Sequence, residues 1–322
     1  MTPAAHAVDR VPAVPGLAVS AAQARHSLLA DYQELFKVRV TSMVVLTAWA
    51  GFYLGSMRSG ITSMHWGLVQ ALLGITLVSC GASVLNQVIE RRTDAKMMRT
   101  AQRPLAAGRV GPLHGLVLGL ACFAAGALVL AWFTNPVTVM LTLLTGFCYV
   151  AVYTPLKRHT TLATFIGAFP GAMPPLLGWT AARGVMEWPA VALFAILFVW
   201  QFPHFMAIAW LYREDYAKAG IRMLPVVQPD GWSTACEALI YAVLMIPVSV
   251  VPFYLHLTGR IYLVTAVLLG LVYLAYTIRF ARITRALTTA ESRGYARDLL
   301  RASVIHLPLL LTVMMLNAAG RR

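Results

Sequence analysis

The stretch ALLGITLVSCGASVLNQVIERRTDAK, residues 71–96, changes abruptly from an apolar segment into a charged one. Its apolar part belongs to a run over residues 66–86 that contains no charged side chain. A helix needs about 20 mostly apolar residues to cross a bilayer, because about 30 Å of hydrocarbon is covered at about 1.5 Å per residue. The stretch therefore predicts a membrane-spanning helix that ends in carboxylates and bases.

The whole chain repeats this apolar pattern. Of its 322 residues, 59% are hydrophobic and 12% are charged, and the mean hydropathy is +0.70. A soluble domain has about a quarter of its residues charged. We predict an all-α, polytopic membrane protein with nine transmembrane helices. The spans are residues 40–57, 66–86, 113–133, 137–153, 163–182, 188–211, 234–256, 262–281 and 300–318.

The positive charges indicate an orientation in the membrane. The chain has 26 Lys and Arg against 12 Asp and Glu, which in a soluble protein would suggest a nucleic-acid partner. Here 21 of the 26 lie in residues 1–39, in the loops after spans two, four, six and eight, or at the span ends next to those loops. Cytoplasmic loops carry such an excess, so we expect a lipid bilayer around the chain, a cytoplasmic N-terminus and no nucleic-acid partner.

The N-terminal segment differs from the rest of the chain. Residues 1–30 are rich in Ala and Pro and lack the continuous apolar stretch of a signal peptide. We predict a disordered leader at 1–30 and a nine-helix domain at 31–320. The cell inner membrane is the expected location, and an organelle inner membrane stays open because a transit peptide can have this composition.

Acidic side chains follow the second span at helical spacing. Asn86, Glu90 and Asp94 are spaced four residues apart, so a helix that continues past the membrane surface places their oxygens along one side. Mg²⁺ is commonly bound by one or two carboxylates together with substrate phosphates. The spacing predicts a Mg²⁺ site, although ordinary ion pairs at a helix end would give the same pattern.

A second acidic segment follows span six, where REDYAK resembles the RRTDAK that follows span two. The bases near both segments would contact phosphate oxygens. They are Lys96, Arg99, Arg103, Arg213 and Lys218. The segment YTPLKRHT adds Tyr153, Lys157 and Arg158, which alone would be an interfacial anchor. Beside two acidic segments, these three residues become a candidate diphosphate clamp.

His204, in WQFPHF, lies inside span six. Ionisable residues within a membrane span are costly and are treated first as functional candidates. The alternative is a packed histidine that is bonded to a neighbouring helix or to Gln201.

Six segments together resemble the UbiA-type intramembrane prenyltransferase superfamily, and in particular its haem-modifying branch. They are LFKVRVTSMVV, NQVIERRTDAKMMRTAQRPLAAGRV, YTPLKRHT, GAFPGAMPPLLGW, WQFPHF and REDYAKAGIRMLPVV. Their order and spacing cover most of the chain from about residue 35 to the ninth span. The second acidic segment lacks the Asp-rich run of the quinone-type branches, which favours the haem branch.

The resemblance implies nine helices around a central cavity, a Mg²⁺ cofactor and catalysis at the cytoplasmic mouth. It implies transfer of a farnesyl group from farnesyl diphosphate to a vinyl group of haem B, with addition of water, to give haem O. Haem A synthase or a terminal oxidase assembly would then be possible partners.

The resemblance also implies roles for particular residues. The metal ligands would be Asn86, Glu90, Asp94 and Asp215, and Lys218 would complete the catalytic set. The family's Lys-Pro-Arg entry to span one is Lys37, Val38 and Arg39 in this chain, so Arg39 would contact a phosphate. His204 would contact the haem.

Two other functions stay open at this stage. One is a prenyltransferase that acts on an aromatic quinone precursor or chlorophyllide. The other is a membrane transporter, although transporters tend to place ionisable residues near the membrane midplane, whereas the acids here lie at one surface.

Overall fold

The computed structural model describes residues 27–60, 66–286 and 288–318. Apart from one isolated bridge between Thr258 and Ala318, their regular structure is helical. The α-helices are α1 (Leu28–Leu35), α2 (Val38–Ser59), α3 (Trp66–Asp94), α4 (Pro112–Phe133), α5 (Pro136–Phe147), α6 (Thr154–Leu156), α7 (Ala163–Arg183), α8 (Trp188–Leu211), α9 (Arg213–Lys218), α10 (Leu224–Val227), α11 (Trp232–Tyr254), α12 (Arg260–Phe280) and α13 (Thr289–Leu316). A π-helical segment, Cys148–Tyr153, joins α5 to α6, and a 3-10 turn, Ala281–Arg285, follows α12.

Each predicted span corresponds to a long helical segment in the described chain. Eight segments are long and apolar enough to cross a membrane, and α5, the π-helical segment and α6 form one of them, Pro136–Leu156. The remaining span is α7, which has 21 residues and whose three internal prolines lower its hydropathy. The prediction of an all-α, polytopic membrane protein is confirmed.

Two helices extend further than the apolar runs. The second span continues as α3 to Asp94, as the carboxylate spacing requires. The ninth span was predicted to start at residue 300, but α13 begins at Thr289. Thr288 caps this helix, because its hydroxyl accepts a hydrogen bond from the Glu291 N–H at 3.1 Å. The added turns are polar, so hydropathy alone could not reveal them.

Residues 1–26 of the predicted leader lie outside the described residues. The structure begins with Ser27, whose hydroxyl caps α1, so α1 starts inside the stretch predicted as leader. Arg109 holds α1 in place through hydrogen bonds from its Nε and Nη2 to the Asp31 carboxylate, at 3.0 and 2.8 Å. Helix α1 is therefore tied to the loop after α3.

The basic loops meet at one end of the helix bundle. Arg99, after α3, donates to the Tyr216 hydroxyl of α9 at 3.0 Å. The Arg222 N–H donates to the Lys157 carbonyl at 3.0 Å, which links the loop after α9 to the loop after α6. Loops that the charge count sorted into one set are thus in contact.

The remaining connections meet at the opposite end. Arg58, at the end of α2, donates to the Leu255 carbonyl at 3.4 Å. The Gly259 N–H donates to the Asn317 carbonyl at 3.1 Å, which joins the start of α12 to the end of α13. Few charges lie here, so the bundle has one charged end and one weakly charged end.

Helices α2 and α7 pack with their backbones in direct contact. A Cβ atom added at Gly178 would overlap the Ala48 carbonyl, and one added at Gly51 would overlap the Pro175 carbonyl. Small residues permit such close approach between membrane helices. This contact fixes α7 beside α2 and sets one wall of the cavity described below.

Candidate functional site

The π-helical segment places two tyrosines on the cavity. Cys148–Tyr153 interrupts an otherwise α-helical span, and such single π turns occur often at functional sites. The rings of Tyr149 and Tyr153 line the cavity and stack with centroids 5.7 Å apart. Tyr153 was selected from the sequence. Tyr149 was missed, because it sits in an apolar run with no charged neighbour.

Asn86 is the centre of the polar contacts at the charged end. It is fully buried, and its amide nitrogen donates to Glu90 Oε2 at 3.0 Å and to Thr154 Oγ1 at 2.9 Å. Its amide oxygen accepts a hydrogen bond from Lys37 Nζ at 2.7 Å. The amide therefore joins α3 to the entry of α2 and to α6.

Lys37 enters this site from an unusual backbone position. It links α1 to α2 with φ of +47°, a left-handed conformation that is uncommon for residues other than glycine. Its Nζ also donates to the Tyr149 hydroxyl at 3.1 Å. Arg39, the cation expected from the sequence to contact a phosphate, is exposed. The Lys-Val-Arg entry was the available signal, but only the turn shows which cation faces the site.

Glu90 and Lys157 form a buried ion pair. Their side chains are only 13% and 14% exposed, and Lys157 Nζ lies 3.0 Å from Glu90 Oε1. Burial by itself lowers the pKa of the Lys157 ammonium, but the nearby Tyr153, Glu90 and Tyr149 reverse this effect and raise the pKa above its ordinary value. Lys157 is therefore a fixed positive charge at neutral pH. We call Lys37, Asn86, Glu90, Tyr149 and Lys157 the mouth cluster.

Asp94, the third member of the predicted stripe, faces its own loop. Its side chain is 2% exposed, and Oδ2 accepts a hydrogen bond from Arg103 Nη1 at 2.8 Å. Its carbonyl accepts a hydrogen bond from the Thr100 hydroxyl at 2.9 Å. Arg103 and Asp94, both predicted site residues, are thus paired with each other.

The second acidic segment lies against the loop after α3. Arg99 stacks on the ring of Tyr212, with 4.6 Å between its Cζ atom and the ring centroid, and contacts Tyr216. Asp215 is half-buried on α9. Within the described ranges, no hydrogen bond or ion pair joins the Asp215 carboxylate to another side chain. The two segments converge through Arg99 and the tyrosines.

The other predicted bases lie around this site. Lys96, Arg158 and Lys218 are exposed. Arg158 lines a small pocket beside Glu90. Arg213 packs on Trp210, with its Cζ atom 4.3 Å from the ring centroid. These four side chains are near the charged end but are not bonded to the mouth cluster.

His204 contacts a neighbouring helix. Its Nδ1 lies 2.8 Å from the Ser303 hydroxyl of α13, and its ring stacks on Trp200 with centroids 4.9 Å apart. The next residue, Phe205, lines the central cavity, whereas His204 does not. This is the packing expected of a histidine that joins two helices.

An apolar cavity of about 260 Å³ lies below the mouth cluster, between α2, α3, α5 and α7. Its upper wall contains Tyr149, Tyr153 and Lys157. Its lower wall contains Ile75 and Leu177. A polar head and an apolar tail would therefore both find matching surroundings.

The side-chain oxygens of the mouth cluster are of the type that binds a hard cation such as Mg²⁺. Among the described residues, no group of three or more His, Cys, Asp and Glu side chains could hold a metal ion. Mg²⁺ does not need such a group when substrate phosphates supply ligands. The Glu90 carboxylate lies beside Asn86, whose amide nitrogen faces Glu90 and whose amide oxygen faces Lys37. A carboxylate and an amide oxygen on neighbouring side chains are ligand types that fit a metal arriving with a diphosphate, once the Asn86 oxygen is released from Lys37.

The site is thus a buried polar cluster at the charged end of a membrane-spanning helix bundle, directly above an apolar cavity, and comparison with known proteins gives the family. The sequence profile of the UbiA prenyltransferase family matches residues 44–297, and the chain belongs to that family. A protein of Koribacter versatilis named Protoheme IX farnesyltransferase is 53% identical over 90% of this chain and 94% of its own length. One of Solibacter usitatus with the same name is 42% identical over 90% and 99%. The resemblance drawn from the sequence is confirmed.

Solved structures agree on the fold. A structure concerned with digeranylgeranylglyceryl phosphate synthase has a TM-score of 0.71 at 16% identity, over 90% of this chain and 98% of that one. A UbiA homologue of Archaeoglobus fulgidus, bound to GPP and Mg²⁺, has a TM-score of 0.57 at 16% identity, over 88% and 99%.

Proposed function

We propose that this chain transfers a farnesyl group from farnesyl diphosphate to a vinyl group of haem B, with addition of water, to make haem O. The observation that carries the proposal is the position of the mouth cluster, with its two lysines, directly above an apolar cavity. The identity of the acceptor is supported by the relatives, which are named for protohaem IX and farnesyl.

The two lysines bind and orient the diphosphate. Lys37 and Lys157 lie on either side of Asn86 and Glu90, so a diphosphate above these residues meets a cation on each side. Hydrogen bonds between ionised groups are about twice as strong as neutral ones. Arg99 and Arg103, and beyond them Lys96, Arg158, Arg213 and Lys218, add positive charge around the entrance.

The residues that would supply oxygen ligands to Mg²⁺ are Asn86, Glu90 and Asp94, with Asp215 from the second segment. A bound Mg²⁺ ion supplies charge neutralisation for the diphosphate as it leaves. Lys157 and Arg103 are the present partners of Glu90 and Asp94. We expect these cations to turn toward the diphosphate when the carboxylates bind metal.

The cavity protects the allylic cation that forms when the C–O bond breaks. The cavity lining is mostly apolar, so it keeps bulk water away from the bound prenyl group. The faces of aromatic rings attract cations, and Tyr149 and Tyr153 are the rings nearest the diphosphate. The vinyl group of haem then attacks the cation, which forms a C–C bond and leaves a second cation beside the porphyrin. Water adds to that cation to give the hydroxyl, and the proton it loses passes to the released diphosphate.

Other roles and relations stay predictions. A role for His204 in contacting haem stays a prediction, and the bond between His204 and Ser303 does not support it. Orientation with the charged end in the cytoplasm, in the cell inner membrane, rests on the distribution of basic loops. Partnership with haem A synthase or a terminal oxidase assembly also stays a prediction.

The direct test is pigment analysis of membranes with and without this chain. We expect a haem that carries a farnesyl group only when the chain is present. An assay that offers haem B and 4-hydroxybenzoate together separates this function from quinone-type prenylation. Prenylation of 4-hydroxybenzoate alone would contradict the proposal.

A further inference from the structure

The lower end of the cavity is closed by two side chains from different helices. Ile75 of α3 and Leu177 of α7 both line the cavity, and each is only 2% exposed. They pack in one buried cluster with Ala48, Val78 and Leu130. The cavity therefore ends in closely packed protein at this level.

The depth of the cavity follows from the two helices that line it. Asn86, at the mouth, is 11 residues from Ile75 along α3, which is about 16 Å at about 1.5 Å per residue. On α7, Gly167 lies against the ring of Tyr153 and is 10 residues from Leu177, which is about 15 Å. The two helices therefore give similar depths.

This depth matches one prenyl chain length. An extended chain advances about 1.2 Å per bond, as a polypeptide does, so the eleven main-chain bonds of a farnesyl group span about 13 Å. One more isoprene unit adds four bonds and about 5 Å, which gives about 18 Å. A farnesyl group fits above the floor, and a geranylgeranyl group does not fit without folding.

We propose that Ile75 and Leu177 form a floor that restricts the prenyl donor to the farnesyl length. This inference rests on the proposed function, since it assumes that the prenyl chain occupies this cavity with its diphosphate at the mouth cluster. It adds the residues that decide which prenyl diphosphate is used.

Variants can move the floor in both directions. The double substitution Ile75→Ala with Leu177→Ala deepens the cavity. Ser79→Leu raises the floor, because Ser79 lines the cavity four residues, or about 6 Å, above Ile75. Geranyl, farnesyl and geranylgeranyl diphosphates are offered together with haem B to the full chain in nanodiscs, and the haem products are counted by mass spectrometry.

The competition ratio does not depend on how much protein is folded, because all donors compete for the same active molecules. We expect the double alanine variant to raise geranylgeranyl over farnesyl transfer at least tenfold. We expect Ser79→Leu to raise geranyl over farnesyl transfer at least tenfold.

Two matched variants separate cavity length from general damage. Leu130→Ala removes volume from the same buried cluster, at a position that does not line the cavity. Thr76→Leu adds bulk on α3 at a position that is also outside the cavity lining. Both should keep the wild-type ratio.

Unchanged ratios in the double alanine variant and in Ser79→Leu would overturn the floor proposal while leaving the proposed function in place. Absence of any prenylated haem with the wild-type chain would instead contradict the proposed function. In that case, direct competition among the three diphosphates for binding to each variant still tests the floor.

Discussion

The two ends of the bundle hold their ion pairs in different ways. At the charged end, Glu90 is paired with Lys157 across α3 and the loop after α6, and both side chains are largely buried. At the opposite end, Arg183 and Glu187 are paired four residues apart across the end of α7, and they are 22% and 32% exposed. One pair joins distant segments, and the other closes a turn.

This difference separates functional charges from structural ones. A buried pair between distant segments costs desolvation and is weak evidence of stability in itself. Its carboxylate and ammonium, however, are held ready for a ligand that can replace either partner. A half-buried local pair such as Arg183–Glu187 joins residues four apart and contributes little to stability. Variants at the two ends should therefore have very different effects.

The largest effect is expected for the carboxylates of the charged end. Glu90→Gln and Asp94→Asn keep the shape of each side chain but remove its charge. We expect kcat/KM for farnesyl transfer to fall by about 10²–10³-fold, the loss typical when one electrostatic contact to a transition state is removed. Steady-state kinetics of the purified variants measures this.

Glu187→Gln is the control at the opposite end and should retain activity within about twofold. Near-normal turnover in Glu90→Gln would remove Glu90 from the metal site.

Lys157→Met should mainly weaken binding of farnesyl diphosphate. Loss of a hydrogen bond to a charged group costs about 1.5–3 kcal/mol, or about 10- to 150-fold in KM. The pKa of Lys157 is raised by Tyr153, Glu90 and Tyr149 despite its burial, so its ammonium stays charged below and somewhat above the ordinary lysine value of about 10.4. The wild-type KM should therefore not rise through loss of this charge between about pH 7 and 9.

Arg158→Met, one residue further and exposed, is the matched control and should change KM by less than about threefold. Equal effects of the two substitutions would show that general positive charge, and not the buried pair, binds the diphosphate.

Lys37 and Arg39 provide a smaller and more specific comparison. Lys37 contacts Asn86 and Tyr149, whereas Arg39 is exposed. We expect Lys37→Met to raise KM for farnesyl diphosphate by about tenfold, the lower end of the range for a bond to a charged group. Arg39→Met should have a smaller effect, and the reverse order would restore the role first assigned to Arg39.

The smallest effect is expected at the Arg183–Glu187 pair. Hydrogen bonds from Arg183 lower the pKa of the Glu187 carboxyl below 4.5. A carboxyl group whose pKa is lower in the folded than in the unfolded protein stabilises the fold at pH values above its unfolded pKa. That stabilisation is lost as the pH falls through the folded pKa. Glu187→Gln should therefore reduce stability by less than about 1 kcal/mol at pH 7 and by nothing at low pH. Thermal unfolding of both proteins at several pH values measures the difference.

Particular residues show how far the sequence could predict the site. The apolar runs and the spacing of Asn86, Glu90 and Asp94 predicted the continuation of α3 beyond the membrane. The same spacing predicts a Mg²⁺ site that includes both Glu90 and Asp94; in the structure, Asp94 is paired with Arg103 and Glu90 with Lys157. The directions of side chains beyond a helix end depend on loop geometry, which spacing does not encode.

The sequence by itself determined that this protein lies in a lipid bilayer, where its helices are and to which family it belongs. About twenty consecutive apolar residues are typical of a membrane helix. No water is available in the lipid core, so the backbone N–H and C=O groups must bond to each other, and a helix achieves this within one segment. Only the tertiary structure decided that Lys37 faces the site, that Tyr149 joins it through a π turn, and that the cavity ends at Ile75 and Leu177. Those features arise where segments far apart in the chain meet, and their positions follow from packing and not from any local pattern.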